Sequence, residues 1–259
     1  MKRWMQGLGL VYVLLLFGIF VPGVAKGNSV NDIGEVSFLP KKEMEEKEDI
    51  KERGVTYIED VSESSGMQAV KGEAPKIALT FDDGPHAQYT PVLLDGLKER
   101  DVKATFFLIG ENIEKSGNGE IVKREGEEGH LIGNHTYHHV EITRISDEAA
   151  YEEIVNTNEL ITSLTGKPVE YMRPPFGLWQ KKLEERIHVL PVMWTIDPLD
   201  WATENVDEIV NKVVTNAKEN DIILLHDCYS SSVKAALRIV DLLQDKGFRF
   251  VTVDELIVE

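Results

Sequence analysis

Apolar runs and amphipathic segments follow one another along the chain in a pattern that predicts buried strands separated by helices. Residues 77–81 form an almost continuous apolar run, typical of a strand that is buried on both faces of a sheet. In the next segment, residues 89–100, the positions of Val92, Leu93 and Leu97 predict a helix with one buried face. The same reasoning predicts strands at residues 104–109, 130–134, 170–173, 189–196, 221–225 and 248–251, and helices near residues 120–128, 146–166, 206–219 and 232–245. Strand and helix alternate about seven times, which indicates a parallel α/β sheet, either open or closed into a barrel.

The first 25 residues have the pattern of an export signal. Lys2 and Arg3 precede an apolar stretch that ends with the small residues Gly23 and Ala25. This stretch is also nearly long enough to span a bilayer, which needs about 20 apolar residues. We therefore expect residues 1–25 to be a signal peptide or a membrane anchor, with membrane contact through this segment alone. The remaining chain is expected to work outside the cytoplasmic membrane, either secreted or anchored.

Residues 26–73 have the composition of a charged linker. Within them, residues 41–53 are almost all charged, and acidic and basic side chains are mixed at helical spacing. Such a segment fits either a solvated helix or a disordered tether between membrane and domain. The composition changes at Lys76, so the globular domain is assigned to residues 74–256.

The overall charge excludes some classes of function. The chain has 28 Lys and Arg residues against 45 Asp and Glu residues, and its net charge is −17. A surface of this charge repels phosphate backbones, which argues against nucleic-acid binding. Cys228 is the single cysteine, so an internal disulfide and a cysteine-rich zinc site are both excluded. Its thiol is expected to be packed rather than nucleophilic.

Polar side chains that could take part in catalysis or metal binding follow several of the predicted strands. In parallel α/β folds the carboxyl ends of the strands share one rim, where catalytic sites are built. Residues that are far apart in sequence are therefore expected to meet in one cleft. The residues in these positions are Asp82, Asp83, His135, His139, Arg173, Asp197, Asp200, Trp201 and His226.

His135 and His139 are four residues apart, which would place both on one face of a helical turn, where they could hold one ion. With one carboxylate they would form a two-histidine, one-carboxylate metal site that leaves coordination positions for water and substrate. Zn²⁺ in such a site lowers the pKa of bound water to about 7. The alternative is a pair of loop histidines whose hydrogen bonds are satisfied locally.

Asp82 and Asp83 are adjacent carboxylates, and crowding them is unfavourable unless a cation or an arginine compensates their charge. One could bind the metal while the other, held by Arg173, acts as a base. The alternative is a simple turn, since Asp-Gly-Pro is a common turn sequence. His226 could be held as an imidazolium by Asp200 and donate a proton, or it could be a plain rim histidine.

Trp201 could be a wall for a sugar ring, although tryptophan is more often a core residue. The other histidines lack a comparable set of partners, and we interpret them as structural or surface residues. They are His86, His130, His138 and His188.

Five short motifs in a fixed order carry a resemblance to a known family. The sequence resembles the polysaccharide deacetylases of the NodB-homology type, carbohydrate esterase family 4, over roughly residues 75–256. Each motif alone is weak, but five in order are highly specific. They are TFDDGP at residues 80–85, HTYHH at 135–139, RPPF at 173–176, DPLDW at 197–201 and LLH at 224–226.

The resemblance implies a distorted parallel (β/α) barrel that removes acetyl groups from N-acetylated sugars with the help of a metal ion. It implies that Asp82 is the general base and that Arg173 orients it. The implied metal ligands are Asp83, His135 and His139. Asp200 would tune His226 as the general acid, and Trp201 and Leu224 would line the acetyl pocket. Phe176 stands where the family commonly has tyrosine, and its backbone N–H would still stabilise the oxyanion.

The expected cofactor is a divalent ion, Zn²⁺ first, although Co²⁺, Ni²⁺ or Mn²⁺ could also support turnover. The expected substrate is an N-acetylglucosamine-containing polymer, with cell-wall peptidoglycan first. The alternatives are a chitooligosaccharide deacetylase, an acetylxylan esterase, a deacylase of a small cyclic amide, and an inactive glycan-binding module. The sequence does not predict the oligomeric state.

Overall fold

A computed structural model describes residues 73–257 of the chain. The predicted export or anchor segment at residues 1–25 lies outside these residues, and so does the predicted linker except for residue 73. Among the described residues, no helix has the length and apolar character needed to cross a membrane. The predicted domain at residues 74–256 lies wholly within the described range.

Within residues 73–257, seven parallel strands form one sheet, as the alternating pattern predicts. Its order is β5-β4-β3-β2-β1-β6, and β7 also pairs with β1. The strands are β1 Lys76–Gly84, β2 Thr105–Leu108, β3 Leu131–Asn134, β4 Tyr171–Met172, β5 Leu190–Pro191, β6 Ile222–His226 and β7 Arg249–Val251.

The strand ladder does not close into a complete barrel between β5 and β6. After β5 the chain continues to Ile196, which forms an isolated parallel bridge with Ile223 of β6. Leu224 also donates its backbone N–H to the Ile196 carbonyl at 2.9 Å. These contacts link the end of the strand order back to β6, as expected for a distorted parallel barrel.

Seven α-helices accompany the strands within the described residues. Ser146 caps α4 by accepting the Ala149 N–H, and Gly166 ends the same helix at φ 69°. Both boundaries agree with the predicted helix at residues 146–166. The helices are α1 Tyr89–Glu99, α2 Gly110–Ile113, α3 Asn118–Glu127, α4 Asp147–Thr165, α5 Val206–Asn216, α6 Ser230–Asp245 and α7 Val253–Ile257.

Short 3₁₀ turns carry parts of the connecting segments. Two of them contain motif residues, namely Pro175–Gly177 and Asp200–Ala202. The other two are Ile142–Arg144 and Lys181–Glu185.

The predicted buried face of α1 is wrong at one position. Val92 is 53% exposed, whereas Leu93, Leu94 and Leu97 are fully buried. Successive helical residues are rotated by about 100°, so a face centred between Leu93 and Leu97 includes Leu94 and leaves Val92 outside. The buried face packs into a core that β1 crosses with seven consecutive buried residues.

The predicted strand at residues 189–196 is also much shorter than expected. Only Leu190–Pro191 pairs as β5, at the end of the strand order. Leu190 and Val192 donate their N–H groups to the Glu170 and Met172 carbonyls, both at 2.8 Å, and Pro191, which has no N–H, lies between them. Val189, Val192 and Ile196 are buried, whereas Leu190 and Met193 are exposed, so the apolar run overstated both the length of the strand and its burial.

Candidate active site

The carboxyl ends of four strands bring the motif residues to one rim. Asp82 on β1 pairs in register with His226, the last residue of β6. On the other side of β1, β3 ends at Asn134, and His135 follows it directly. Arg173 follows β4 and donates its backbone N–H to the Asn134 carbonyl at 2.9 Å. The parallel topology therefore assembles the cleft that the strand ends predict.

Asp83, His135 and His139 present their ligand atoms to one point. These atoms all lie within 4.8 Å of one another. Asp83 Oδ1 is 3.4 Å from His135 Nε2 and 3.5 Å from His139 Nε2. It is also buried without a hydrogen-bond partner among the described residues. A buried carboxylate oxygen facing two imidazole nitrogens fits a divalent cation with open coordination positions.

The two histidines do not share a helical turn, so the geometric reason for pairing them is wrong. Residues 135–139 form a loop in which Thr136 has φ 64° and His139 has φ 55°. The reversal brings the rings of His135 and His139 to a centroid distance of 5.0 Å. His135 Nδ1 lies 2.6 Å from the Arg173 carbonyl, which directs Nε2 towards Asp83.

The electrostatics of this cluster favour the protonation states that bind a cation. Burial would raise the pKa of Asp83, but the interaction with the nearby His135 ring and the charges of His226 and His139 lower it. Burial, followed by the charge of His135, lowers the pKa of His139 below its usual value. An ionised carboxylate and a neutral imidazole are the forms that coordinate metals.

Arg173 fixes Asp82 from inside the domain. Arg173 is fully buried, and its Nη1 donates to Asp82 Oδ1 at 2.8 Å and to Thr80 Oγ1 at 2.7 Å. The other oxygen, Asp82 Oδ2, lies 3.7 Å from His135 Nε2. Asp82 therefore has one oxygen on the guanidinium and one directed towards the metal cluster.

Other contacts leave Arg173 little freedom. Its Nε donates to the Val192 carbonyl and its Nη2 to the Met193 carbonyl, both at 3.2 Å. The guanidinium also lies 4.4 Å from the centre of the Phe107 ring. The predicted contact between Arg173 and one of the two aspartates is thus present and tightly constrained.

Asp200 holds His226 on the opposite side of the cleft. Its two oxygens accept the His226 backbone N–H and the Nδ1–H of the ring, both at 2.8 Å. Burial would lower the pKa of His226, but the hydrogen bond and charge of Asp200, with Asp82 and Asp83, raise it to about 9. His226 is therefore an imidazolium at neutral pH, as expected for a proton donor.

Two aromatic side chains of the motifs are exposed. Phe176 is 63% exposed, and its ring lies 5.0 Å from the His139 ring. Trp201 is 56% exposed, which excludes the core role considered for it. Leu224 lies within β6 and is almost buried, opposite Thr80 in the strand register. Both aromatic rings are available to a bound ligand.

The comparisons with known proteins agree with this geometry. A family model described as polysaccharide deacetylase matches residues 69–193. A peptidoglycan-N-acetylglucosamine deacetylase of Bacillus cereus is 40% identical over 188 residues, which cover 70% of this chain and 68% of that protein. The chain belongs to the polysaccharide deacetylase family.

Two further members of the polysaccharide deacetylase family show how far the likeness extends. A peptidoglycan-N-acetylglucosamine deacetylase of Listeria monocytogenes is 38% identical over 181 residues, and the match spans 38% of its length. The solved structure of the peptidoglycan deacetylase PdaC from Bacillus subtilis superposes with a TM-score of 0.68 at 36% identity. That match covers 71% of this chain and 90% of the PdaC chain. These likenesses confirm the NodB-type parallel fold.

Two histidines outside the metal cluster have local partners, as predicted. His130 is buried, and its Nδ1 accepts the Ala104 N–H at 3.1 Å. His138 lies between the two cluster histidines but contacts Glu153 at 2.7 Å instead. Burial and nearby acidic charges raise the pKa of Cys228 to about 12, so its thiol is no nucleophile at neutral pH.

Asp227 is a buried acid beside the site that the motif pattern did not single out. It is fully buried and accepts a hydrogen bond from the Thr90 hydroxyl, which itself accepts the His86 N–H at 2.8 Å. Its carboxylate oxygens lie 2.7 and 2.8 Å from where a Cβ on Gly84 would stand. Asp227 thus ties the loop after Asp83 to β6. The sequence feature that could have identified Asp227 is its position directly after His226, at the end of a predicted strand.

Proposed function

We propose that this chain is a metal-dependent hydrolase that removes N-acetyl groups from cell-wall peptidoglycan and releases acetate. The observation that carries the proposal is one cleft with three adjacent units. They are the Asp83, His135 and His139 cluster, the Asp82–Arg173 pair and the Asp200–His226 pair. Together they offer a cation site, a base and a protonated acid, which is the set that amide hydrolysis requires.

The cluster would hold a divalent cation through one carboxylate oxygen and two imidazole nitrogens. Such an ion, Zn²⁺ in our proposal, polarises a carbonyl and lowers the pKa of a coordinated water to about 7 when bound. The protein's own contribution is to orient the ligands, since His135 is held by the Arg173 carbonyl.

Asp82 accepts the proton of the attacking water in the proposed mechanism. Its Oδ1 is engaged by Arg173, so Oδ2 is the oxygen available for the proton. The water oxygen forms a bond to the acetyl carbon, and negative charge develops on the carbonyl oxygen. The Phe176 backbone N–H would stabilise this charge, as the family pattern implies.

His226 donates its proton to the leaving nitrogen as the C–N bond breaks. Its high pKa ensures that the proton is present at neutral pH, and Asp200 stabilises the imidazolium. The products are acetate and a sugar with a free amino group. Trp201 and Leu224 would enclose the acetyl methyl group, as the family pattern implies, and the exposed Phe176 ring would contact the sugar.

Peptidoglycan is the proposed substrate because the relatives described above are named as peptidoglycan deacetylases. This substrate lies outside the cytoplasmic membrane. The basic and apolar pattern of residues 1–25 agrees with export or anchoring, which we include in the proposal. Fusion of residues 1–73 to a reporter that is active only after export would test the localisation.

Acetate release tests the proposed function directly. The purified chain is offered peptidoglycan, N-acetylglucosamine oligomers and acetylated xylan, with chelator and then with added Zn²⁺. We expect zinc-dependent acetate release with peptidoglycan preferred over the other two glycans. A preference for acetylated xylan would show that the chain is an esterase and not an amidase. If zinc were bound but no acetate were released from any of the three glycans, the chain would be a binding module.

A further inference from the structure

A cavity of about 500 Å³ adjoins the proposed metal site on the side of the β1–α1 loop. Asp83 and His139 form one wall of it, so a ligand in the cavity would be next to the reacting centre. Its polar lining residues from the β1–α1 loop, α2 and the α2–α3 turn include His86, Asn112 and Lys115. Its volume fits a sugar unit or a substituent of one.

We propose that Lys115 makes this cavity a subsite for a carboxylate carried by the glycan substrate. The inference rests on the proposed function and specifies it, since peptidoglycan carries carboxylates on its lactyl ethers and peptides whereas chitin carries none. Lys115 is the one lysine or arginine among the described residues that line the cavity. Within the described residues, no carboxylate oxygen forms an ion pair with it.

The turn that carries Lys115 is tied to the loop of the metal ligand. Asn112 donates its Nδ2–H to the Asp83 carbonyl at 2.8 Å. The buried Asn118 donates to the Pro85 carbonyl at 3.0 Å and to the Asn112 carbonyl at 2.7 Å. Lys115 Nζ donates to Asn112 Oδ1 at 2.5 Å. The ammonium group is therefore positioned relative to Asp83 before any ligand binds.

The remaining donors suit a carboxylate better than a neutral hydroxyl. His86 Nδ1 accepts the backbone N–H groups of Gln88 and Tyr89, so Nε2 carries the proton of the neutral ring. Ser116 adds a hydroxyl to the same cavity. One ammonium with neighbouring N–H and O–H donors matches two carboxylate oxygens. In a chain of net charge −17, a lysine that forms no ion pair among residues 73–257 would give local attraction for an acidic glycan at this position.

The test compares neutral and acidic glycans with the full chain. The substrates are an N-acetylglucosamine oligomer, a peptide-free oligomer with alternating lactyl carboxylates, and the same glycan with its peptides attached. Lys115→Gln should raise KM for acidic glycans roughly fivefold more than for the neutral oligomer. Lys115→Glu should enlarge this difference between acidic and neutral glycans. Added salt should reduce the preference of the wild-type chain for acidic glycans. An effect confined to the peptide-free glycan identifies the lactyl carboxylate, and one confined to the peptide-bearing glycan identifies the peptide.

Lys234→Gln is the matched control, because Lys234 is an exposed lysine on α6. It should leave all three KM values unchanged. Equal changes in KM for neutral and acidic glycans in Lys115→Gln would show that Lys115 only supports the turn, and would overturn the proposal.

A binding measurement separates this proposal from the proposed function. In an Asp82→Asn background, Lys115→Gln should weaken the affinity for the acidic oligomer roughly fivefold more than for the neutral one, by calorimetry. This result would support the subsite even if the wild-type chain released no acetate. Equal affinities with and without Lys115 would overturn the subsite even if acetate were released.

Discussion

Asp82 has a defined orientation before substrate binds, and this makes its role testable by a nearly isosteric change. Asp82→Asn keeps the shape of the side chain but cannot take the proton of water. We expect acetate release to fall by roughly 10²–10⁴-fold, the usual contribution of a general base. Zinc should still bind, because Asp83, His135 and His139 remain. Calorimetry with zinc and an acetate assay measure the two properties separately.

Asp245→Asn is the control for that variant, since Asp245 is exposed at the end of α6. It should leave turnover and zinc binding unchanged. Full turnover in Asp82→Asn would remove Asp82 from the mechanism. If Asp82→Asn lost its affinity for zinc, Asp82 would be a ligand of the metal ion.

The Asp200–His226 pair predicts how activity depends on pH. With a pKa of about 9, His226 keeps its proton through neutral pH, and kcat/KM should fall as the pH rises through that value. Asp200→Asn removes the charge that raises the pKa, so the alkaline limb should move down by about 1–3 pH units. A pH–rate profile of both proteins tests this. If the alkaline limb stayed at the same pH in Asp200→Asn, a group other than His226 would be responsible for it.

The same proton contributes to the stability of the metal-free protein. The folded pKa of His226, about 9, lies above its ordinary value of 6.5. The folded state therefore binds the proton more tightly than the unfolded chain does. This contribution is complete below the lower value and is lost as the pH rises through the higher one.

At the level of elements, apolar patterning located the strands more successfully than it predicted their lengths. The run at residues 77–81 became β1 because a central parallel strand is buried on both faces. In the run at 189–196 only Val189, Val192 and Ile196 are buried, and a two-residue strand with an isolated bridge replaces the expected long strand. Likewise, the spacing of His135 and His139 identified a pair whose convergence comes from left-handed loop residues instead of a helix.

Two residues near the site could not be found from periodicity because their roles depend on remote segments. Lys115 faces the cleft only because Asn112 and Asn118 bond to the β1–α1 loop. Asp227 lies against Gly84, which is 143 residues earlier in the chain. Such contacts become visible only when the sheet brings the segments together.

The packing of α1 against α6 gives a prediction about the stability of the fold. A Cβ on Gly96 would lie 2.5 Å from both terminal methyl groups of Leu237, so Gly96 permits the close approach of the two helices. Gly96→Ala should reduce the free energy of unfolding by about 1–3 kcal/mol through overpacking. Urea unfolding measures it, and Leu237→Ala in the same chain should relieve the clash.

Gly126→Ala is the matched control on α3. A Cβ there would meet Thr165 and Ile132 at ordinary contact distances of 3.6 and 3.7 Å. The change should stabilise the fold by roughly 0.5–1 kcal/mol, since alanine is the better helix former. If Gly96→Ala stabilised the chain as well, the close packing of α1 on α6 would be disproved.

For the whole molecule, the parallel sheet explains why five separated motifs can form one site. Each motif lies at or just after a strand or its connecting loop, and the strand ends share a rim. β1 contributes Asp82 and Asp83, and β6 contributes His226 in register with them. A ligand that joins Asp83 to the His135–His139 loop therefore connects β1 to the β3–α4 segment, and its binding should be measurable as stability of the entire domain.

Zinc should stabilise the folded chain, because the three ligands come together only in the native state. At free zinc 100-fold above its dissociation constant, the gain is about 2.7 kcal/mol. This corresponds to a rise in Tm of roughly 5–10 °C for a domain of this size. Differential scanning calorimetry with chelator and with zinc measures the shift. His139→Gln should abolish most of it, whereas His138→Gln should retain it, since His138 contacts Glu153. An undiminished shift in His139→Gln would place the ion outside the Asp83, His135 and His139 cluster.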